Sequence, residues 1–143
     1  MVELMIVMAI IADLCVIAVP SFYRARRTAQ NARLTSDLRV MAEGFEMYAA
    51  ENLKYPPDAD VSVIPKGMTQ YLRLTGFESQ NSLGGLWDYD ADTGYAKAAI
   101  CIVLPVDADP IQMEDIDERI DNGVLATGQF RERSPRRFAY IIE

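Results

Sequence analysis

The side chains able to do chemistry in this sequence are mostly carboxylates, and no histidine accompanies them. Without histidine there is no Ser-His-Asp or Cys-His catalysis, no His-ligated zinc or haem, and no ordinary proton shuttle near neutral pH. Asp115, Asp117 and Asp121 are spaced for paired acid-base work, but acids on a short exposed helix are usually a solvated face. We therefore expect a protein that is not an enzyme.

Three aspartates alternate ahead of a glycine: Asp88, Asp90, Asp92 and Gly94. An EF-hand with this start would need glycine at position 93 and glutamate at 99, where the chain has Thr93 and Ala99. We expect no metal site and no cofactor, with calcium in the acid-rich segment 88–121 as the alternative. Cys15 and Cys101 have no CxxC spacing, and they lie in an apolar run and a predicted strand, so no disulfide is expected.

Length and charge limit the architecture that must position these groups. The 143 residues suffice for one folded domain, and the net charge of -7 has the wrong sign for a general nucleic-acid binder. The segment Leu4–Pro20 is apolar except for Asp13. About 20 such residues in a helix cross a bilayer core, and a helix apolar on all sides must lie in lipid or among other proteins.

The rest of the chain predicts a long helix followed by strands. Apolar residues recur at helical spacing, at Leu34, Leu38, Met41, Phe45 and Tyr48. They extend the first helix to about 50 residues, and Tyr55-Pro56-Pro57 ends it. Later predictions are a short helix at Met68–Leu74, a Gly84-Gly85 turn, strands at 83–89 and 95–104 around a turn at 90–94, a helix at Ile111–Asp121, and strands at Val124–Arg131 and Arg136–Ile142. Trp87 is predicted to lie in the core.

The acid followed by an apolar run at Val2–Ile11, and Ala18–Phe22 with its proline, resemble the N-terminal helix of type IV pilins and of type II secretion pseudopilins. The resemblance implies the α+β pilin fold, a long N-terminal α-helix packed on a small antiparallel β-sheet of about four strands. Residues 1–23 would form the transmembrane or filament-core half of the helix. Residues 24–143 would form the globular domain, with an amphipathic half-helix at 24–54, a connecting loop at 55–83 and a β-sheet region at 84–143.

In that family, a residue matching Glu3 neutralises the N-terminal amine of a neighbouring subunit and helps processing by a prepilin peptidase. Pro20 matches the proline that bends the helix, and we expect a kink or locally opened segment near 17–21. Asp13 departs from the family, which is apolar there. An unpaired acid in mid-bilayer costs about 2.5–3.5 kcal/mol, so Asp13 should be protonated or paired, for instance with an N-terminal amine or Arg24 of another copy.

Topology depends on charges beside the span. Arg24, Arg26, Arg27 and Arg33 all follow it, which by the positive-inside rule would place the C-terminal domain in the cytoplasm. The family instead has a basic leader and a methylated Phe before the stretch seen here. We therefore expect the mature protein to begin upstream of Met1, with the leader holding the N-terminus inside and the folded domain facing outward.

Opposite charges are segregated along the chain. Residues 24–39 hold five arginines against one aspartate, whereas residues 88–121 hold ten acids against two bases. We expect Arg24, Arg26, Arg27 and Arg33 to make subunit contacts that set register, or to meet anionic lipid headgroups before assembly.

The resemblance therefore predicts a structural subunit of a helical type IV pilus-like filament. The alternative is a pseudopilin of a type II secretion system, whose major members bind calcium in their C-terminal region; a monomeric membrane-anchored binding module is a third possibility. Implied partners are copies of the same chain, the bacterial inner membrane before assembly, a prepilin peptidase and the pilus or secretion machinery. The assembled filament would be extracellular or periplasmic.

Overall fold

The computed structural model describes residues 1–73, 75–106 and 108–143. Its elements in chain order are α1 (Val2–Asn52), α2 (Thr69–Leu72), β1 (Leu86–Thr93), β2 (Ala96–Val103), α3 (Pro110–Ile120), β3 (Phe130–Ser134) and β4 (Arg137–Ile141). Within these ranges the strands form one antiparallel sheet in the order β1-β2-β4-β3. A long N-terminal helix packed on a four-stranded antiparallel sheet confirms the predicted α+β fold.

The chain divides into two compact units, Met1–Gln30 and Asn31–Glu143. The first unit consists of the N-terminal part of α1, and the second holds the rest of α1 with all the other elements. The predicted boundary at residue 23 was placed where the apolar residues end, whereas the structural boundary falls where α1 begins to have buried residues, at Asn31.

The core of the second unit lies between α1 and one face of the sheet. Most of the predicted helical stripe is buried: Leu34, Leu38, Met41 and Phe45 are at 0% exposure, and Tyr48, its last member, is partly buried. On the facing strands the core contains Trp87, Tyr89, Ile100, Ile102, Phe130 and Phe138. Because successive strand residues point to opposite faces, these positions define the inner face of the sheet. Trp87 therefore lies in the core, as predicted.

Helix α3 also packs into this core. Asp109 is its N-cap, with its side chain accepting a hydrogen bond from the Ile111 amide at 3.0 Å, and Pro110 follows in the first turn. Met113 and Ile116 are buried, and the Gln112 amide nitrogen donates to the Asn31 side-chain oxygen at 2.6 Å. The predicted helix at 111–121 is therefore confirmed to within one residue at each end.

Loops cover part of both edges of the sheet. At the β1 edge, the Ser62 amide donates to the Trp87 carbonyl at 2.8 Å, and the Ala91 amide donates to the Asp58 carboxylate at 3.1 Å. At the β3 edge, the Glu132 amide donates to the Leu125 carbonyl at 2.9 Å. Edge strands with occupied backbone groups are poor templates for pairing with another chain.

Several predicted boundaries are wrong. The turn expected at 90–94 belongs mostly to β1, which runs to Thr93 before a two-residue connection to β2. The strand expected from Val124 begins only at Phe130, because the Asp121 carboxylate and the Asn122 side chain hold the intervening loop through backbone amides. The short helix expected at 68–74 is present as Thr69–Leu72, and its last predicted residue, Leu74, lies outside the described residues.

Candidate functional site

The N-terminal unit presents an unburied apolar surface. Its exposed side chains include Leu4, Met5, Ile6, Val7, Ile10, Ile11, Leu14, Val16, Ile17 and Val19. None of the most apolar 18-residue stretch of α1 is buried within the chain. By length and composition the helix is able to cross a membrane. This surface needs a covering of lipid or protein, and we take it as the candidate functional site.

Glu3 and Pro20 lie near the two ends of this surface. Glu3 is in the first turn of α1, where its charge interacts favourably with the helix dipole, and its side chain is exposed. Pro20 lies inside α1, and the helix continues through it without interruption. Residues 17–21 are therefore not locally opened in the single chain, because losing one backbone hydrogen bond at a proline does not end a helix whose neighbouring turns remain paired. The alternative of a kink near Pro20 stays a prediction.

Asp13 and the arginines remain spread along the same helix. Asp13, Arg24 and Arg26 are exposed, and no ion pair joins Asp13 to a cation within the described part of the chain. Arg33 lies 3.8 Å from Asp37, one turn later, in a pair whose arginine is well exposed. Such surface pairs contribute about 0–1 kcal/mol. Burial raises the pKa of Asp37, although Arg33 opposes that shift.

No family model matches the chain, and no curated protein or solved structure proves significantly similar to it. The family resemblance therefore rests on the residues of α1 and on the order of the helix and strands.

A polar cluster that was not predicted from the sequence lies on the outer face of the sheet. The Arg137 guanidinium lies 2.6 Å from Asp88 Oδ2 and 2.5 Å from Asp90 Oδ1. Asp90 also accepts hydrogen bonds from the Tyr95 hydroxyl and, at 3.2 Å, from the Cys101 thiol. The alternation of Asp88 and Asp90 was visible in the sequence, but their cation lies more than forty residues later, on β4.

Burial and hydrogen bonding within the cluster shift the pKa values of its two acids and of the thiol. Burial alone would raise the pKa of Asp90, but hydrogen bonds from Tyr95, Arg137 and Cys101 outweigh it and hold the pKa below its ordinary value. Burial raises the pKa of Asp88, with Arg137 opposing the shift. Burial also raises the pKa of Cys101 to about 12. The thiol is therefore not a nucleophile at neutral pH. We expect the cluster to stabilise the fold.

The acids of segment 88–121 differ in their fitness for a cation. Asp88 and Asp90 already face Arg137. Asp117 on α3 is fully buried, and neither of its carboxylate oxygens has a hydrogen-bond partner among the described residues. Burial raises the pKa of Asp117 and the nearby Asp121 raises it further, whereas the Val124 backbone amide opposes the shift. An orphaned carboxylate beside a second acid suits a hard cation such as calcium.

A calcium ion at this point would need more than the two carboxylates. No group of three or more His, Cys, Asp or Glu among the described residues is placed to hold a metal. Asp117 and Asp121 would be the carboxylate ligands of such an ion. Calcium bound there would neutralise the buried charge of Asp117.

Proposed function

We propose that this chain is the structural subunit of a helical, type IV pilus-like surface filament. The observation that carries the proposal is the fully unburied apolar surface of α1 between Val2 and Val19, continuous with a helix whose later half packs on a four-stranded sheet. In the filament, neighbouring copies cover this surface and the sheet domains lie outside. Before assembly, lipid of the bacterial inner membrane covers it.

The proposal is supported by the amount of apolar surface that assembly would bury. Burying an aliphatic side chain contributes about 1.5–3 kcal/mol relative to water, whereas an exposed salt bridge contributes about 0–1 kcal/mol. More than ten apolar side chains of α1 are exposed in the single chain, whereas loops already occupy part of both edges of the sheet. Helix packing therefore supplies most of the assembly energy, and the charges select register.

Electron microscopy of material sheared from the cell surface tests this function. Antibody against residues 31–143 should label long fibres, and detergent should dissolve those fibres whereas molar salt leaves them intact. A chain found only as a detergent-extracted monomer, with no fibres, would favour a membrane-anchored binding module. Fibres that dissolve in salt alone would contradict assembly through the helix.

A pseudopilin of a type II secretion system is the second candidate, and one observation favours it. Asp117 is a buried carboxylate without a hydrogen-bond partner, next to Asp121, in the C-terminal region where major pseudopilins bind calcium. Calcium-dependent stability of the wild-type chain, lost in Asp117→Asn, would support this candidate. Long surface fibres that form equally well in a calcium chelator would favour the pilus.

A further inference from the structure

We propose that Asp13 forms an ion pair with Arg26 of a neighbouring copy, and that this pair sets the stagger between adjacent helices in the assembly. The inference rests on the proposed filament and specifies one contact within it. Asp13 is the single acid within the apolar run Leu4–Pro20, and both Asp13 and Arg26 are exposed. Neither has an ion-pair partner within the described part of the single chain.

The need for a partner follows from the position of Asp13. A charged side chain at the centre of an apolar span is expensive, and such residues usually pair with another charged group. No cation of the same chain is available within reach, because the nearest arginine along the helix, Arg24, is eleven residues away, which is about 16 Å of axial rise. A cation from another copy is therefore required when the acid is ionised in the packed helices.

The positions of the arginines around the helix axis indicate which one can pair with Asp13 of another copy. Since α1 is uninterrupted from Val2 to Asn52, each residue advances about 100° around its axis. Arg24 is about 20° from Asp13 around the helix and Arg27 about 40° from it, so both lie on the Asp13 side. Arg26, thirteen residues after Asp13, is about 140° away, on a different side. Arg33 is also on that side, about 160° from Asp13, but it already pairs with Asp37 of its own chain.

The symmetry of a filament requires Asp13 and its partner to lie on different sides of the helix. An assembly that grows by repeating one contact is heterologous, so each copy meets the next through one surface and the preceding copy through another. If Asp13 lies on the first surface, its partner must lie on the second. Arg26 satisfies this condition and Arg24 does not, and the pairing implies a stagger of about 20 Å between the two helices. The geometry thereby favours Arg26 over Arg24, which was one of two partners suggested by the sequence, the other being an N-terminal amine of another copy.

A double-mutant cycle on filament yield tests the pair in the full chain. We expect Asp13→Asn and Arg26→Gln each to lower the ratio of sheared filament to membrane-inserted chain at least tenfold. The double variant should be no worse than the poorer single variant, because neither charge is then left alone. Arg24→Gln is the matched control: it should stay within twofold of wild type and should combine additively with Asp13→Asn.

The cycle separates pairing from simple hydrophobic assembly. Asp13→Asn makes the span less charged, so assembly by apolar packing alone predicts an unchanged or higher yield. A normal yield for Asp13→Asn, or additive losses for Asp13→Asn and Arg26→Gln, would overturn the inference. Wild-type chains that form no filaments would instead overturn the proposed function.

Cross-linking measures the stagger without disturbing either charge. In a Cys15→Ala background, Ile6→Cys with Val19→Cys repeats the thirteen-residue offset two turns earlier on the same faces of the helix, and both positions are exposed. The two cysteines of one chain are about 20 Å apart along the helix, far beyond disulfide reach, so any bond must join copies. We expect a ladder of oligomers from oxidised filaments. Ile6→Cys with Ile17→Cys has the eleven-residue offset of Arg24 and is also exposed, and a ladder from this control instead would overturn the inference.

Discussion

Phe45 of α1 and Tyr89 of β1 stack with their ring centroids 4.3 Å apart and their planes 11° from parallel. Both side chains are fully buried, so the stack fixes the helix on the sheet at the centre of the second unit. Offset stacking contributes about 0.5–1.5 kcal/mol beyond the burial of area.

Phe45→Ala should therefore lower the free energy of unfolding by about 3–5 kcal/mol, through lost burial and a cavity. Met47→Ala is the control on the same helix, because Met47 is 57% exposed. It should change stability by less than about 0.5 kcal/mol. Denaturant unfolding followed by tryptophan fluorescence of the buried Trp87 measures both, and equal losses would contradict the packing described.

Arg137→Met should destabilise the fold by about 2–3 kcal/mol, because it leaves Asp88 and Asp90 without their cation on the outer face of the sheet. Arg119→Met, at an exposed position on α3, is the control and should have little effect. The same unfolding measurement checks this prediction. A loss of unfolding free energy no greater than in the control would show that the cluster does not stabilise the fold.

Asp117→Asn should stabilise the chain at neutral pH in a calcium chelator, by about 1 kcal/mol. The folded-state pKa of Asp117 is raised above its ordinary value of 3.8. Protonation therefore favours the folded state: the stability advantage is complete below the unfolded pKa and is lost as pH rises through the folded pKa. The variant should accordingly match wild type near pH 3 and exceed it at pH 7.

Calcium changes the sign of that comparison if Asp117 and Asp121 hold the ion. Millimolar calcium should then raise the melting temperature of wild type and leave Asp117→Asn unchanged, because binding only to the folded state stabilises it. Magnesium at the same concentration controls for ionic strength. An equal response of both variants to calcium would exclude this pair of acids as ligands.

Glu3→Ala should leave the second unit folded and the chain inserted in the membrane, while filament yield falls at least tenfold. The expected reason is the loss of a carboxylate that matches a neighbouring copy's buried N-terminal amine. Glu43→Ala, an exposed acid on the same helix, is the control. Circular dichroism and membrane fractionation verify folding and insertion. Filament numbers equal to those of the control would refute the pairing.

The helix and its core were predictable from sequence because their signal is local. Leu34, Leu38 and Phe45 repeat at helical spacing, and each is buried as that spacing predicts. The strand boundaries were less predictable, since residues 90–93 are of types common in turns but are held in β1 by tertiary contacts. Asp90, for example, is fixed by Arg137, a residue that no local pattern connects to it.

The candidate site was predictable in part, for a related reason. Glu3, Asp13 and Pro20 stand out because an acid or a proline in an apolar helix contradicts its surroundings, whatever the fold. Their partners were not predictable, because a single helix leaves these side chains exposed and the groups that would meet them belong to other copies. Asp117 was expected on a solvated helix face with Asp115 and Asp121, and this is wrong because Asp117 is fully buried. Its burial depends on how α3 packs, which the alternating acids of that segment do not indicate.

A density map of the assembled filament, at a resolution that separates helices, tests the proposed function most directly. We expect residues Val2 to Val19 of successive copies to form a central helical bundle, with the four-stranded sheets outside. Apolar side chains that are exposed in the single chain should be buried there between copies. A filament whose axis is built from the sheets, with these helices facing solvent or lipid, would contradict assembly through α1.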